Sequence, residues 1–403
     1  MKRMGVRPKL SCVRDPERRI MSGKRSIFEE VDSAGRVSDT NPKGGMIDAA
    51  RRGARRGIRI WLIGLFALVV VMIAVGGLTR LTGSGLSITE WAPVSGALPP
   101  MNAADWQSEF DKYRQIPQYA LLNEGMTLAE FKVIYWWEWG HRQLGRVIGL
   151  VWALGFLGFL IARQIPTGWT GRLLLLGALG GMQGAIGWWM VASGLTGEMI
   201  AVASYRLATH LGLAFVILGV IAWYVLALGR EDRELRQARR GQEARLFALS
   251  TGLMSLAFLQ IVLGALVAGI DAGRSYTEWP LMAGSFLPPT MMDLTPWWRN
   301  FFENAGTVQF IHRMTGYLLV AFGVAVWLRA RRSAHVLTRG AFNAFFAVLG
   351  LQIVLGIMTV LYAAPWQLAI AHQFLAVVLW VLILRARFLA RYPRTTSIRG
   401  ARA

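Results

Sequence analysis

Five histidines are spread over 403 residues, and four of them fall where an imidazole could do chemistry. His141 and His312 open the matching strings His141-Arg142-Gln-Leu-Gly145 and His312-Arg313-Met-Thr-Gly316. His210 closes Ala208-Thr-His210, and His372 closes Ile370-Ala-His372. The fifth, His335, lies among arginines and reads as ordinary surface. A neutral imidazole is a good metal ligand and tolerates burial. No His-x-x-x-His pair accompanies these residues, and Cys12 is the single cysteine, so zinc and iron–sulfur sites are poorly served and an intrachain disulfide is excluded. Two imidazoles on facing helices, one at either side of a gap, suit the two axial positions of a haem. Gly145, Gly212 and Gly316 near the histidines would make room for a flat ring. Arg142, Arg146 and Arg313 stand beside the ligands, where they could pair with propionates or reach lipid headgroups.

One carboxylate breaks the symmetry of this set. Glu138 precedes His141 by three residues, in Glu138-Trp-Gly-His141-Arg142, and Gln309 holds the same place before His312. On a helix that spacing puts Glu138 and His141 on one face. A carboxylate at a haem edge can act as a base or stabilise a cationic intermediate, and a carboxamide cannot. This difference assigns chemistry to the N-terminal site and a permanently held cofactor to the C-terminal one. The competing reading makes Glu138 an interfacial acid that faces water or pairs with Arg142.

The elements that must position these groups are membrane helices. Hydrophobic residues make up 54% of the chain and charged residues 17%, well below the quarter typical of soluble domains. Uncharged runs occupy 60–79, 147–162, 173–197, 207–229, 246–270 and 314–328. A seventh, 340–384, is about twice the ~20 residues that cross a bilayer and breaks at Pro365. The reading is an all-α polytopic membrane protein with eight transmembrane helices, because only helices close their backbone hydrogen bonds within such runs.

The net charge of +21 could signal nucleic acid, but its placement says otherwise. With the N-terminus inside, alternate segments hold 34 of the 44 basic residues and 11 of the 23 acidic ones. That is the positive-inside pattern, with both termini cytoplasmic. It sets all four histidines near the outer face and leaves no case for nucleic acid. The segment 1–58 reads as a basic, unstructured cytoplasmic stretch, and Met21 or Met46 could be the true start of translation.

The chain also repeats itself. Gly77-Leu78, Thr89-Glu90-Trp91 and Leu98-Pro99-Pro100 recur as Ala265-Leu266, Thr277-Glu278-Trp279 and Leu287-Pro288-Pro289. Met182-Gln183-Gly-Ala-Ile-Gly187 resembles Leu351-Gln352-Ile-Val-Leu-Gly356. Two tandem four-helix bundles follow, at 59–229 and 246–385, joined by a cytoplasmic linker at 230–245 and followed by a basic tail at 386–403. With four spans each, the halves share one orientation, and their pseudo-twofold axis runs along the membrane normal. The Thr-Glu-Trp and Leu-Pro-Pro strings are expected to shape the outer loops. The Gln-x-x-x-Gly strings are expected to permit close helix packing.

Together, the eight spans, the duplicated unit, the four outer histidines and the Glu138-x-x-His141-Arg142 signature resemble the haem A synthase family over roughly 56–390. The resemblance implies that haem O, the substrate, is bound by His141 and His210. It puts haem b, as cofactor, on His312 and His372, and an essential acid at Glu138. It implies successive hydroxylations of one methyl of haem O through a geminal diol to a formyl group, giving haem A for cytochrome oxidase assembly. Many members carry a cysteine pair in an outer loop. This chain has none there and is similar to the cysteine-free type of proteobacteria and mitochondria, in a bacterial inner membrane with the haem sites near the periplasmic face. Membrane lipids, a haem O synthase, an unidentified electron partner and further copies of the chain are the partners such a protein could meet. A di-haem b electron carrier explains the four histidines equally well but not Glu138 against Gln309. A transporter, for which duplicated halves are common, fits the outer-face position of the histidines less well.

Overall fold

The computed structural model describes residues 46–394. Cys12, the alternative start Met21, most of the 1–58 segment and the end of the 386–403 tail lie outside them. Among the described residues the chain is helical, with no strand. Eight helices are long and apolar enough to cross a membrane. They are α1 (Met46–Leu81), α4 (Leu128–Ile161), α5 (Thr170–Ala192), α6 (Ser204–Leu228), α8 (Ala244–Gly269), α10 (Ala305–Ala330), α11 (Val336–Leu361) and α12 (Trp366–Arg391). Leu150, Leu154, Leu157, Leu351 and Val354 point outward from them, as lipid-facing side chains must.

The helices carrying the first and third histidines begin well before their uncharged runs. The run at 147–162 belongs to α4, which starts at Leu128 and has 34 residues. Charged side chains end a hydropathy run but leave the backbone hydrogen-bond ladder intact, so the helix continues through Lys132, Glu138 and Arg146. Its start is fixed by a capping box, in which Thr127 accepts from the Glu130 N–H and Glu130 accepts from the Thr127 N–H. Helix α10 starts at Ala305 behind Asn304, whose side chain accepts from the Thr307 N–H at 2.8 Å. His141 therefore lies thirteen residues inside its helix rather than at its start.

The loop between α1 and α4 folds into a cap of its own, which hydropathy alone does not foretell. It contains α2 (Ala103–Tyr113) and α3 (Pro117–Leu122). Trp106, Phe110 and Tyr113 of α2 pack on Phe131 and Tyr135 at the protruding start of α4. The Tyr113 hydroxyl donates to Gln118 and accepts from Asn123, so the polar atom of this buried ring is satisfied. Gly83, with φ of +66°, turns the chain out of α1, and Ser84 N–H returns to Thr79 O.

Helices α6, α8 and α12 form the centre of the molecule, where α6 packs on both of the others. Trp380 of α12 donates its indole N–H to Phe215 O of α6 at 3.0 Å. Gln373 of α12 donates to Ile73 O of α1 at 2.7 Å. These bonds join helices from the two sequence repeats.

Candidate functional site

Each of the four histidines meets a glycine on a neighbouring helix. A Cβ built on Gly76 of α1 would stand 3.1 Å from His141 Nε2, and one on Gly187 of α5 would stand 2.9 Å from His210 Cε1. The corresponding distances are 3.1 Å from Gly264 of α8 to His312 Cε1 and 3.0 Å from Gly356 of α11 to His372 Cε1. A larger residue at any of these places would push the ring aside. His141 and His210 lie on α4 and α6 in the first four membrane helices, and His312 and His372 on α10 and α12 in the last four. The histidines thus come in twos, one pair in each half.

Glutamines stand one helical turn before three of these glycines. Gln183 Nε2 donates to His210 O at 3.0 Å and lies 3.2 and 3.3 Å from the ring nitrogens. Gln260 repeats this at His312, with 3.0 Å to the carbonyl and 3.1 and 3.3 Å to the ring. Gln352 donates to His372 O at 3.1 Å and lies 3.4 Å from Nε2. The Gln-x-x-x-Gly strings therefore do more than allow close packing. Their glycine receives an imidazole and their glutamine bonds the residue that carries it.

Glu138 is buried, at 3% exposure, and its carboxylate is fully engaged. One oxygen accepts from Ser87 Oγ and from the Ile88 N–H, both at 2.8 Å. The other accepts from Arg142 Nε at 3.0 Å and Nη2 at 2.6 Å. The pairing with Arg142 contemplated for Glu138 is present, and the outer loop supplies two further donors. Gln309, also buried, donates instead to Tyr276 O at 3.0 Å. Ile88 and Tyr276 each immediately precede a Thr-Glu-Trp string. The carboxylate and the carboxamide thus hold the same point of the two outer loops, one by accepting a hydrogen bond and the other by donating one.

The arginines beside the histidines hold these loops as well. Arg142 donates to Ile88 O at 2.7 Å and Glu90 O at 2.9 Å, and Arg313 to Tyr276 O at 3.0 Å and Leu281 O at 3.1 Å. Arg146 donates to Ala92 O and Pro93 O, both at 2.9 Å, and to Gln143. Neither pairing with propionates nor reaching headgroups anticipates this use. The guanidinium fork matches loop carbonyls that would otherwise lie unpaired. Arg313 Nε remains buried without a partner.

The donor set fits haem better than a bare ion. Among the described residues no group of three or more His, Cys, Asp or Glu gathers to hold a metal, whereas a haem iron asks the protein for only two axial ligands. The fold and the site together define a polytopic helical membrane protein in which four histidines on four membrane helices each lie against a glycine of a neighbouring helix.

A family model described as cytochrome oxidase assembly protein (COX15-CtaA) matches residues 59–384. A "Heme A synthase" from Ruegeria pomeroyi is 71% identical over 382 residues, covering 94% of this chain and all of the relative. Proteins of the same name from Dinoroseobacter shibae and Paracoccus denitrificans are 68% and 66% identical, each over 94% of this chain and at least 99% of their own length. The chain belongs to the haem A synthase family.

Proposed function

We propose that this protein converts haem O to haem A by oxidising one methyl group to a formyl group, for cytochrome oxidase assembly. The reading is carried by the two histidine pairs, alike in their helical setting, of which only the first has a carboxylate three residues before its first ligand. His141 and His210 bind the substrate haem O in the N-terminal half, and His312 and His372 hold haem b in the C-terminal half. Bound there, haem b supplies one-electron transfer between the substrate site and an external partner. Oxidation would proceed by two successive hydroxylations of the methyl carbon, each taking its oxygen from water and releasing two protons and two electrons, the electrons passing to the external partner, to a geminal diol that loses water.

Within this reading the protein's own residues have separate tasks. The histidines orient the macrocycles, and the glycines against their rings make the approach close. Glu138 places a carboxylate three residues from a substrate ligand. There it stabilises positive charge developing at the reacting carbon or holds the proton of an attacking water, and hydrogen bonds from Arg142, Ser87 and the Ile88 N–H fix its position. Arg146 and Arg313 retain N–H groups without protein partners and are the arginines best able to meet propionates. Arg142 has most of its donors committed to Glu138 and the loop. The protein sits in a bacterial inner membrane with the positive-inside orientation, so both sites open near the periplasmic face and anionic lipids gather at the cytoplasmic one.

Haem extraction from the purified protein tests the assignment directly. The expected result is haem b together with haem O or haem A. Haem b alone at both sites would favour the electron carrier, and a protein without haem would overturn the ligand assignment. The glycine cradle gives a second test. Gly264→Val adds branches where even a Cβ is 3.1 Å from His312. The expected product loses haem from the C-terminal site while the N-terminal site keeps its own, read as a halved pyridine haemochrome signal.

A further inference from the structure

Met72 stands where the repeat calls for a glutamine. It precedes Gly76 by four residues, as Gln260 precedes Gly264, and both pairs differ by the 188 residues that separate the outer-loop repeats. Its side chain reaches the matching glycine of the neighbouring helix. A Cβ on Gly145, one turn after His141, would lie 3.5 Å from Met72 Cε, and a Cβ on the matching Gly316 would lie 3.3 Å from Gln260 Nε2. Three histidines therefore have a carboxamide bound to their own backbone carbonyl and lying along the imidazole. His141 has a thioether there, which donates no hydrogen bond and accepts only weakly. Among the described residues no side chain hydrogen-bonds the His141 ring.

The three glutamines have a second property in common. Gln183 Oε1, Gln260 Oε1 and Gln352 Oε1 are all buried without a hydrogen-bond partner. A buried carbonyl left this way is destabilising, so its repetition at three equivalent sites calls for a use. When one imidazole nitrogen is given to iron the other carries a proton, and ligand histidines nearly always pass that N–H to an acceptor that fixes the ring. The unpartnered carboxamide oxygen is such an acceptor, attached to a group already touching the ring.

We propose that Gln183, Gln260 and Gln352 are positioning residues for the axial imidazoles of His210, His312 and His372, and that Met72 makes His141 the single ligand whose ring is left free to swing. The two haem sites then differ in ligand rigidity. The C-terminal pair is held at both rings and retains its haem. The N-terminal pair is held at His210 alone, so a haem can enter and leave by giving up the bond to His141. This proposal rests on the reading of the N-terminal site as the one that exchanges haem. It explains why a duplicated scaffold keeps three glutamines and drops the fourth.

The test is haem release from the purified, detergent-solubilised protein to excess apomyoglobin, followed by absorbance. Native protein, Met72→Gln, Met72→Leu and Gln260→Met are compared, with the sites told apart through His141→Ala and His312→Ala. Removing or adding the outer partner of a ligand histidine changes haem affinity by about 10–100-fold. Met72→Gln is expected to slow release from the N-terminal site at least about tenfold, and Met72→Leu to leave it as in the native protein. Gln260→Met is expected to speed release from the C-terminal site by a similar factor, an independent arm should Met72→Gln fail to fold. The proposal is overturned if Met72→Gln slows release no more than Met72→Leu, or if Gln260→Met leaves the C-terminal site unchanged. Its failure is distinct from failure of the functional reading. A protein with haem b at both sites and no haem O or A would sink the synthase assignment, yet the contrast in release rates would still decide the role of the glutamines.

Discussion

Replacing Glu138 with glutamine is expected to lower haem A formation at least about a hundredfold while both haems stay bound. General acid–base groups contribute about 10²–10⁴-fold, and the substitution removes the carboxylate that only the first half carries three residues before its first histidine. Glutamine is already tolerated at the equivalent place in the second half, where Gln309 is buried and bonds the outer loop. It fits less well in the first. Two donors converge on each carboxylate oxygen of Glu138. An amide nitrogen there faces either Arg142 or the Ser87–Ile88 pair, donor against donor. A loosened loop is therefore expected to account for part of the loss, and Arg142→Lys separates the two effects. Lysine keeps the charge beside Glu138 but cannot bridge it to Ile88 O and Glu90 O as a fork. Arg142→Lys is expected to lose less than about tenfold in activity and to lower thermal stability in detergent. A drop equal to that of Glu138→Gln would assign Glu138 to holding the loop and remove it from the chemistry. Product analysis by chromatography of extracted haems and the haem content of each variant are the measurements.

Replacing His312 with alanine is expected to abolish product and halve the haem content, with haem b the species that disappears. The fold should survive. The bond from Gln260 runs to the backbone carbonyl of position 312 and does not need the ring. The space vacated lies against Gly264 and is shaped for an imidazole. Added imidazole is therefore expected to restore haem b binding and part of the activity, which a purely structural role for His312 would not allow. His141→Ala is expected to spare haem b and lose the substrate haem instead. If both variants lose the same haem, the division of labour between the halves is wrong.

Much of this molecule is legible in the sequence because a membrane is a severe solvent. Runs such as 60–79 and 340–384 admit only helices, since no water is available to take up unpaired backbone groups. Two histidines inside such runs, His210 and His372, and two just ahead of them, His141 and His312, are too costly to be idle polar groups, and the duplication gives two to each repeat. Other features were visible but ambiguous. The Gln-x-x-x-Gly strings are written plainly at 183–187 and 352–356, yet glycine and glutamine in a membrane helix first read as packing. The signal that could have resolved them is register, because each string lies on the helix that faces a histidine.

The sequence by itself determined the number of spans, the duplication, the four imidazoles and the odd carboxylate, since each is a matter of residue type and spacing along one chain. Only the tertiary structure decided which groups touch. It showed that α4 begins at Leu128, because helical hydrogen bonds continue through charged residues that interrupt a hydropathy run. It showed Glu138 saturated by Arg142, Ser87 and Ile88, residues whose positions relative to it depend on how a 46-residue outer loop folds back. It showed the arginines bound to loop carbonyls, a use that no side-chain pattern reveals because the acceptors are backbone. And it set Met72 in the place of a glutamine, a difference that matters only because two helices bring that position beside His141.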